Sequence, residues 1–322
     1  MVIDCHVHLS ATAVSHGRMS QKLLASLPFR FMRWRIGLNP ESAEFDGQVV
    51  ALVDQLIQDT DGLDAAVMLA FDAVHDRDGR IDDANTHLHV TNDYVIDACR
   101  RHPDRMLFGA SIHPYRLDAI AELERCAAAG AVLIKWLPIV QNFNPADPRC
   151  EPFYEALAAL NLPLLSHTGG EQSLPNLDKS VADPALLIPA LQRGVRVIMA
   201  HCGTRSTRAD TDYLPTFVRL AKEYEHCYGD TAALNLPSRS YAYDVILNDP
   251  IVRTKVVHGS DWPILPVPPA TKVGLVAAVD LWSERNWIKR DVEIKRTLGF
   301  DADYWNRAGK LLLMDRNRRV SA

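Results

Sequence analysis

Asp4, His6 and His8 stand at alternate positions in the run Val2-Ile3-Asp4-Cys5-His6-Val7-His8, which reads as a short apolar strand. On extended backbone, residues i and i+2 face the same side, so these three project together while Cys5 and Val7 turn away. Two imidazoles placed this way can ligate one cation, and a carboxylate two residues earlier can orient a ligand from behind or join the site itself. A strand carrying them for packing alone would bury three polar groups on one face, at several kcal/mol. The chemistry expected is that of a metal site, provided other segments supply the remaining ligands.

Those segments have a common frame. Short β-rich apolar runs are predicted over 2–8, 63–71, 106–112, 131–135, 162–167, 196–201, 225–230 and 254–260. Helical patterns lie between them, over 48–59, 84–101, 117–129, 152–159, 184–193, 211–224 and 241–247, with a C-terminal helical region over 270–322. Strands alternating with helices predict βαβ units and a parallel sheet. Eight nearly continuous apolar strands fit an α/β protein of the (β/α)₈ TIM-barrel class, folded as a single domain. The alternative is a doubly wound open sheet, but no Gly-x-Gly-x-x-Gly follows the first strand.

In a closed parallel barrel the C-terminal ends of the strands converge on one mouth. His6, His8, Lys135, His167, His201 and Asp261 all stand at such ends, so they would surround one point although they span most of the chain. A lone buried histidine is more often a hydrogen-bonded core residue, and an Asp before Trp-Pro can simply cap a helix. Five strand ends coinciding in this way is hard to attribute to packing. Asp230, ending the seventh strand, faces the same mouth and is a candidate for substrate contact. His87 and His89 fall in a predicted helix, where i and i+2 do not face each other. His258 should point away from Asp261, toward the helices, and His113 before Pro114 suits a turn.

Residues 9–47 form a long insertion after the first strand and contain Pro28-Phe29-Arg30-Phe31-Met32-Arg33-Trp34-Arg35. It is either a substrate lid or an amphipathic helix over the barrel mouth with its arginines in solvent. Composition narrows the function classes. A chain of 322 residues with 48% hydrophobic side chains can bury one barrel-sized core, and a formal charge of −5 without a long basic run argues against nucleic acid. No apolar stretch approaches the roughly 18 residues of a spanning helix, and a ligand-bearing strand at Asp4 leaves no room for a signal peptide. Six cysteines without a Cys-x-x-Cys pair read as reduced thiols of a cytoplasmic protein. The partner expected is a small-molecule substrate, with a homodimer left open.

His6-x-His8, His167, His201 and Asp261 at these strand ends resemble the metal-binding pattern of the amidohydrolase superfamily. Ile134-Lys135-Trp136-Leu137-Pro138, Pro163-Leu164-Leu165-Ser166-His167-Thr168-Gly169 and His258-Gly259-Ser260-Asp261-Trp262-Pro263 resemble its amidohydrolase-related branch. That branch holds aminocarboxymuconate-semialdehyde decarboxylase, resorcylate-type decarboxylases and sugar or pyrone lactonases. The resemblance implies that His6, His8, His167 and Asp261 bind one divalent metal, zinc before manganese. His201 would be a general acid/base or a further ligand, and Asp261 would share the catalytic work. It also offers a binuclear alternative, in which carboxylated Lys135 bridges two ions and His167 and His201 bind the second. One ion is expected here, with Lys135 free to hold a substrate carboxylate.

Arg33, Arg35, Arg205 and Arg208 lie on loops after ligand strands, and guanidinium forks bind carboxylates well, so an anionic substrate is expected. The complete His-x-His and the Asp-Trp-Pro-Ile of the last strand depart from the Glu and the Asp-Tyr-Pro-Phe frequent in decarboxylases. Hydrolysis is therefore expected: metal-bound hydroxide attacking the carbonyl of a small carboxylate-bearing lactone, ester or amide. The alternative is nonoxidative decarboxylation of an aromatic or muconate-like acid.

Overall fold

The computed structural model describes residues 1–313; residues 314–322 of the predicted C-terminal helical region lie outside the described residues. Eight parallel strands form one sheet in chain order: β1 (Ile3–His8), β2 (Ala65–Leu69), β3 (Met106–Ser111), β4 (Leu133–Trp136), β5 (Leu164–His167), β6 (Val197–Ala200), β7 (Cys227–Asp230) and β8 (Val256–Val257). Backbone bonds from Cys5 N to His258 O (3.0 Å), Asp261 N to His6 O (2.9 Å) and His8 N to Trp262 O (2.9 Å) join the last strand region to the first and close the barrel.

The strands read as continuous apolar runs because both faces are covered. One face packs inside the barrel, where Ile3, Val67, Leu107, Leu133, Leu165 and Ile198 form a buried cluster. The other face, with Ala66, Met68, Phe108, Ile134 and Met199, packs under the surrounding helices. Leu311 and Leu312 of the last helix (Ala302–Leu313) join the inner cluster. No described helix is long and apolar enough to cross a membrane.

The first strand departs from simple alternation. Ile3 pairs with Ala65 and Asp4 with Ala66, but the next partners are Val7 with Met68 and His8 with Leu69, so Cys5 and His6 together oppose Val67. This bulge places both Cys5 and His6 on the inner side and leaves Asp4 facing outward, toward the Lys295 ammonium. The expectation that Asp4 projects with both histidines, and Cys5 away from them, is therefore corrected: the extra residue shifts the phase between Asp4 and His6.

The insertion contributes a strand (Gly17–Met19) and two short helices (Gln21–Leu24 and Leu27–Ile36), started by the Ser20 and Ser26 hydroxyls accepting from Leu23 N and Phe29 N. The strand pairs antiparallel with Leu88–Val90. This ribbon overturns the single helix expected over 84–101. Thr91 caps a shorter helix, Asn92–Arg101, leaving His89 on the strand and His87 before it, with its Nδ1 2.9 Å from the Ser20 hydroxyl.

Candidate active site

The barrel mouth brings three donor atoms into a tight triangle. His6 Nε2 and His8 Nε2 lie 3.1 Å apart, and Asp261 Oδ1 is 3.2 Å from the first and 3.3 Å from the second. Tetrahedral coordination with bonds of about 2.1 Å requires ligand atoms about 3.4 Å apart, so the triangle has the dimensions of a divalent-metal site. These three residues form a metal-competent group among the described residues; His167 stands outside it. The His167 ring nevertheless lines the same cleft, and its buried Nε2 has no hydrogen-bond partner, which suits a further ligand.

His6 and the segment carrying Asp261 are held from behind. Asp230 Oδ2 lies 2.7 Å from His6 Nδ1 and takes its proton in a hydrogen bond, so His6 Nε2 presents a lone pair to the triangle. The other Asp230 oxygen accepts from His201 N (2.7 Å) and Ala232 N (3.1 Å). Asp4 Oδ1 accepts from His6 N (3.0 Å) and Ser260 N (2.9 Å), tying the ligand strand to the segment that carries Asp261. Asp230 is thus a buried support for two histidines and does not line the cleft, which corrects its reading as a substrate contact.

His201 and Asp261 both adopt left-handed backbone, with φ of 59° and 65°. That region is unusual for a side chain with a Cβ and recurs where a site must hold one geometry. His201 donates from Nδ1 to Ala232 O at 2.9 Å, leaving Nε2 as the proton acceptor. Burial, reinforced by the Arg239 charge, keeps His201 well below the usual histidine range, so its imidazole is neutral. Burial alone would raise the Asp261 carboxyl, but His6, His8 and Lys135 hold it below the ordinary aspartate value. Lys135 is buried with Nζ 2.8 Å from His6 Nε2, and that burial lowers its pKa.

The cleft in front of these groups measures about 710 Å³ out to its open mouth. The insertion supplies Met19, Leu23, Phe29 and Met32; strand ends and later loops supply Leu9, Phe71, Leu137, Leu174, Pro263 and Ile264. Among the described residues, no lysine or arginine lines it. Lys135 lies against His6, Arg33 and Arg35 lie on the Leu27–Ile36 helix outside the cleft lining, and Arg205 stacks on the Tyr241 ring at 4.8 Å. Arg208 is exposed. The structure therefore gathers His6, His8, His167, His201 and Asp261 around one cleft and leaves Arg33, Arg35, Arg205 and Arg208 outside it.

Two site residues were missed in the sequence. Glu171 lines the cleft, with Oε1 accepting from Ser173 N and Leu174 N and Oε2 3.8 Å from His167 Nδ1. Buried Arg239 donates to Thr204 O (3.1 Å), Thr204 Oγ1 (2.8 Å) and Gly170 O (2.6 Å), binding the loops after β5 and β6 together. The signal was Gly169-Gly170 before Glu171. A Cβ on Gly169 would run into the Thr204 carbonyl, and one on Gly170 would meet Ser206 N at 2.5 Å, so only glycines let these loops close over the mouth.

A family model described as amidohydrolase matches residues 3–290. No curated protein matches the chain in sequence. Among solved structures, an uncharacterized TIM-barrel protein from Bordetella bronchiseptica is 16% identical with a TM-score of 0.64, covering 99% of this chain and 98% of its own. A 5-carboxyvanillate decarboxylase from Sphingomonas paucimobilis is 14% identical, TM-score 0.59, covering 97% and 98%. A probable 2-pyrone-4,6-dicarboxylic acid hydrolase from Acinetobacter baumannii is 15% identical, TM-score 0.57, covering 97% and 99%. At these identities the likeness to solved structures is one of fold. The family match, by contrast, runs through every residue of the barrel-mouth site from His6 to Asp261, and the chain belongs to the amidohydrolase family.

Proposed function

We propose that this protein is a metal-dependent hydrolase of small molecules carrying an ester, lactone or amide carbonyl. His6, His8 and Asp261 would hold one divalent ion, zinc before manganese, with His167 as the further ligand. The observation that carries this reading is the triangle of donor atoms 3.1 to 3.3 Å apart, with the lone pair of His6 fixed by Asp230. A divalent ion bound there supplies Lewis acidity, polarising a carbonyl and lowering the pKa of water toward about 7.

The chain's own groups supply the proton handling. Neutral His201, its Nδ1 committed to Ala232 O, accepts the proton of the attacking water at Nε2 and returns it to the leaving oxygen or nitrogen. The carboxylate of Asp261 lies within the donor triangle, where it would help to hold the ion. The apolar wall from the insertion excludes bulk water.

Hydrolysis is placed ahead of decarboxylation by the complete His6-x-His8 and by the Asp261-Trp262-Pro263-Ile264 of the last strand region. Apart from histidines, the ionisable side chains that line the cleft among the described residues are Asp261 and Glu171, so no guanidinium or ammonium there receives a carboxylate remote from the reacting end. The anionic substrate expected from the arginines loses its support for the same reason. The test is metal analysis with intact mass, followed by turnover on a panel of esters, lactones and carboxylated aromatics. One metal equivalent, an unmodified Lys135 and ester or lactone cleavage are expected, abolished in His6→Ala and Asp261→Asn. Carbon dioxide release from an aromatic acid would replace the hydrolase reading with the decarboxylase one.

A further inference from the structure

We infer that the substrate is uncharged and largely hydrocarbon beyond its reacting carbonyl, and that the apolar wall of the cleft, in which Glu171 is set, rejects molecules bearing a remote carboxylate. This deepens the hydrolase reading and rests on it for turnover, though not for binding. Three features of the cleft carry the inference.

Most of the cleft lining is hydrocarbon and thioether, with Ser10 and Ser173 as its uncharged polar residues. Met19, Phe29 and Met32 reach it from the insertion, facing Leu137 and Leu174 from the strand-end loops. Methionine and phenylalanine adapt to the shape of an apolar guest and offer no hydrogen bond to an anion.

The cations that could receive an anion are spent elsewhere. Lys135 is only 1% exposed and lies against His6; Arg239 is 3% exposed and turned onto the Thr204 and Gly170 carbonyls. The place for a divalent ion is at the reacting end, within the His6, His8 and Asp261 triangle. A carboxylate several atoms from the scissile carbonyl therefore meets the apolar wall, Glu171 or a serine, and no lysine or arginine of the described residues.

Glu171 itself is a built feature of the wall. Its Oε1 is fixed by the backbone N–H groups of Ser173 and Leu174, which holds the carboxylate at the cleft and on the His167 side. Burial, with Asp261 nearby, raises the Glu171 carboxyl, and a second carboxylate brought into the cleft loses its hydration against the apolar wall around it. Discrimination of roughly 100-fold between a methyl and a carboxylate terminus corresponds to about 2.7 kcal/mol.

Matched probes test this on the metal-loaded protein. 4-Nitrophenyl hexanoate and the 4-nitrophenyl monoester of adipate share a chain length and differ only in a terminal methyl or carboxylate. The hexanoate is expected to show roughly 100-fold higher kcat/KM. The uncleavable ketones 1-phenylhexan-1-one and 6-oxo-6-phenylhexanoate, measured by calorimetry, are expected to follow the same order in Kd. Met32→Arg, on a helix with no fully buried residue, and Leu174→Arg should each shrink the preference at least tenfold by improving the carboxylated probe. Equal or better handling of either carboxylated probe, no ketone binding at millimolar concentration, or an unchanged preference in both variants overturns the inference. If neither ester is cleaved while the ketone order holds, the hydrolase reading falls and the substrate class stands.

Discussion

Asp230→Asn separates the metal site from the fold that carries it. In the native protein one Asp230 oxygen accepts from His6 Nδ1 at 2.7 Å, and the other accepts from His201 N at 2.7 Å and Ala232 N at 3.1 Å. Asparagine keeps the shape but replaces one acceptor with an NH₂ donor. With the NH₂ toward His201 and Ala232, two backbone N–H groups face a donor. With it toward His6, only one conflict remains, and the imidazole relieves it by moving its proton to Nε2. That proton then occupies the lone pair aimed at His8 and Asp261, so the tautomer that suits the asparagine cannot bind a metal. Restoring the binding tautomer would leave a buried donor pair opposed, about 1–3 kcal/mol. The expected result is a 10- to 100-fold loss of metal affinity, equivalent to about 1.4–2.7 kcal/mol. Competition with a chromophoric zinc chelator at pH 7.5 measures it, with the far-UV circular dichroism of the metal-free protein as the control for folding. Metal affinity within twofold of wild type in a folded Asp230→Asn variant would refute the argument that Asp230 sets the His6 tautomer.

His167→Ala should lower metal affinity roughly tenfold without abolishing it, because the His6, His8 and Asp261 triangle remains; the same chelator titration checks this, and undiminished affinity removes His167 from the ligand set. Gly229→Ala should destabilise the protein by about 1–3 kcal/mol in urea unfolding, since the new Cβ would meet the Phe217 ring at 2.6 Å and Cys202 Sγ at 2.7 Å in a filled space; a change under 0.5 kcal/mol would show that the ring yields freely. His113 supplies a pH dependence. Burial lowers its pKa to about 4, and the imidazole donates from Nε2 to Gln141 O at 2.9 Å. Unfolded histidine titrates near 6.5, so between those values the unfolded chain binds a proton that the folded one does not. The contribution of His113 is fully present above pH 6.5 and is lost as pH falls, by about 2 kcal/mol at pH 5. His113→Gln should flatten the fall in stability between pH 7.5 and 5 by that amount; an unchanged slope would show that His113 is protonated in the folded state.

Much of the frame was legible because barrel strands buried on both faces leave apolar runs that need no tertiary information to see. The eight runs placed His6, His8, Lys135, His167, His201 and Asp261 at one end of the sheet, and all six lie there. What could not be read was depth and phase. Lys135 and Asp230 stand at strand ends like the cleft residues, yet both are turned onto His6, and nothing in a run of residue types distinguishes a side chain facing substrate from one facing a ligand. The ribbon of Gly17–Met19 with Leu88–Val90 escaped for a related reason: its hydrogen bonds join segments far apart in the chain, and the local pattern over 84–101 resembled a helix.

Asp4 shows most clearly why a motif can be recognised before its geometry is understood. Alternation assigned it to the metal face, but the bulge at Cys5 and His6 turns it outward, where its Oδ1 holds the backbone N–H groups of His6 and Ser260 together. The left-handed Asp261 next to Ser260 donates its own N–H to His6 O, so strand one fixes the segment that carries Asp261. A residue held in that conformation costs on the order of 1–3 kcal/mol unless its surroundings impose it. Here the surroundings are an aspartate and a backbone carbonyl from the strand that also bears His6 and His8, which couples the placement of Asp261 to the two histidines it must meet. Of the two roles open to the acid of Asp-x-His-x-His, orienting from behind or joining the site, Asp4 takes the first: under the proposed metal reading the motif supplies two ligands and the residue that positions a third.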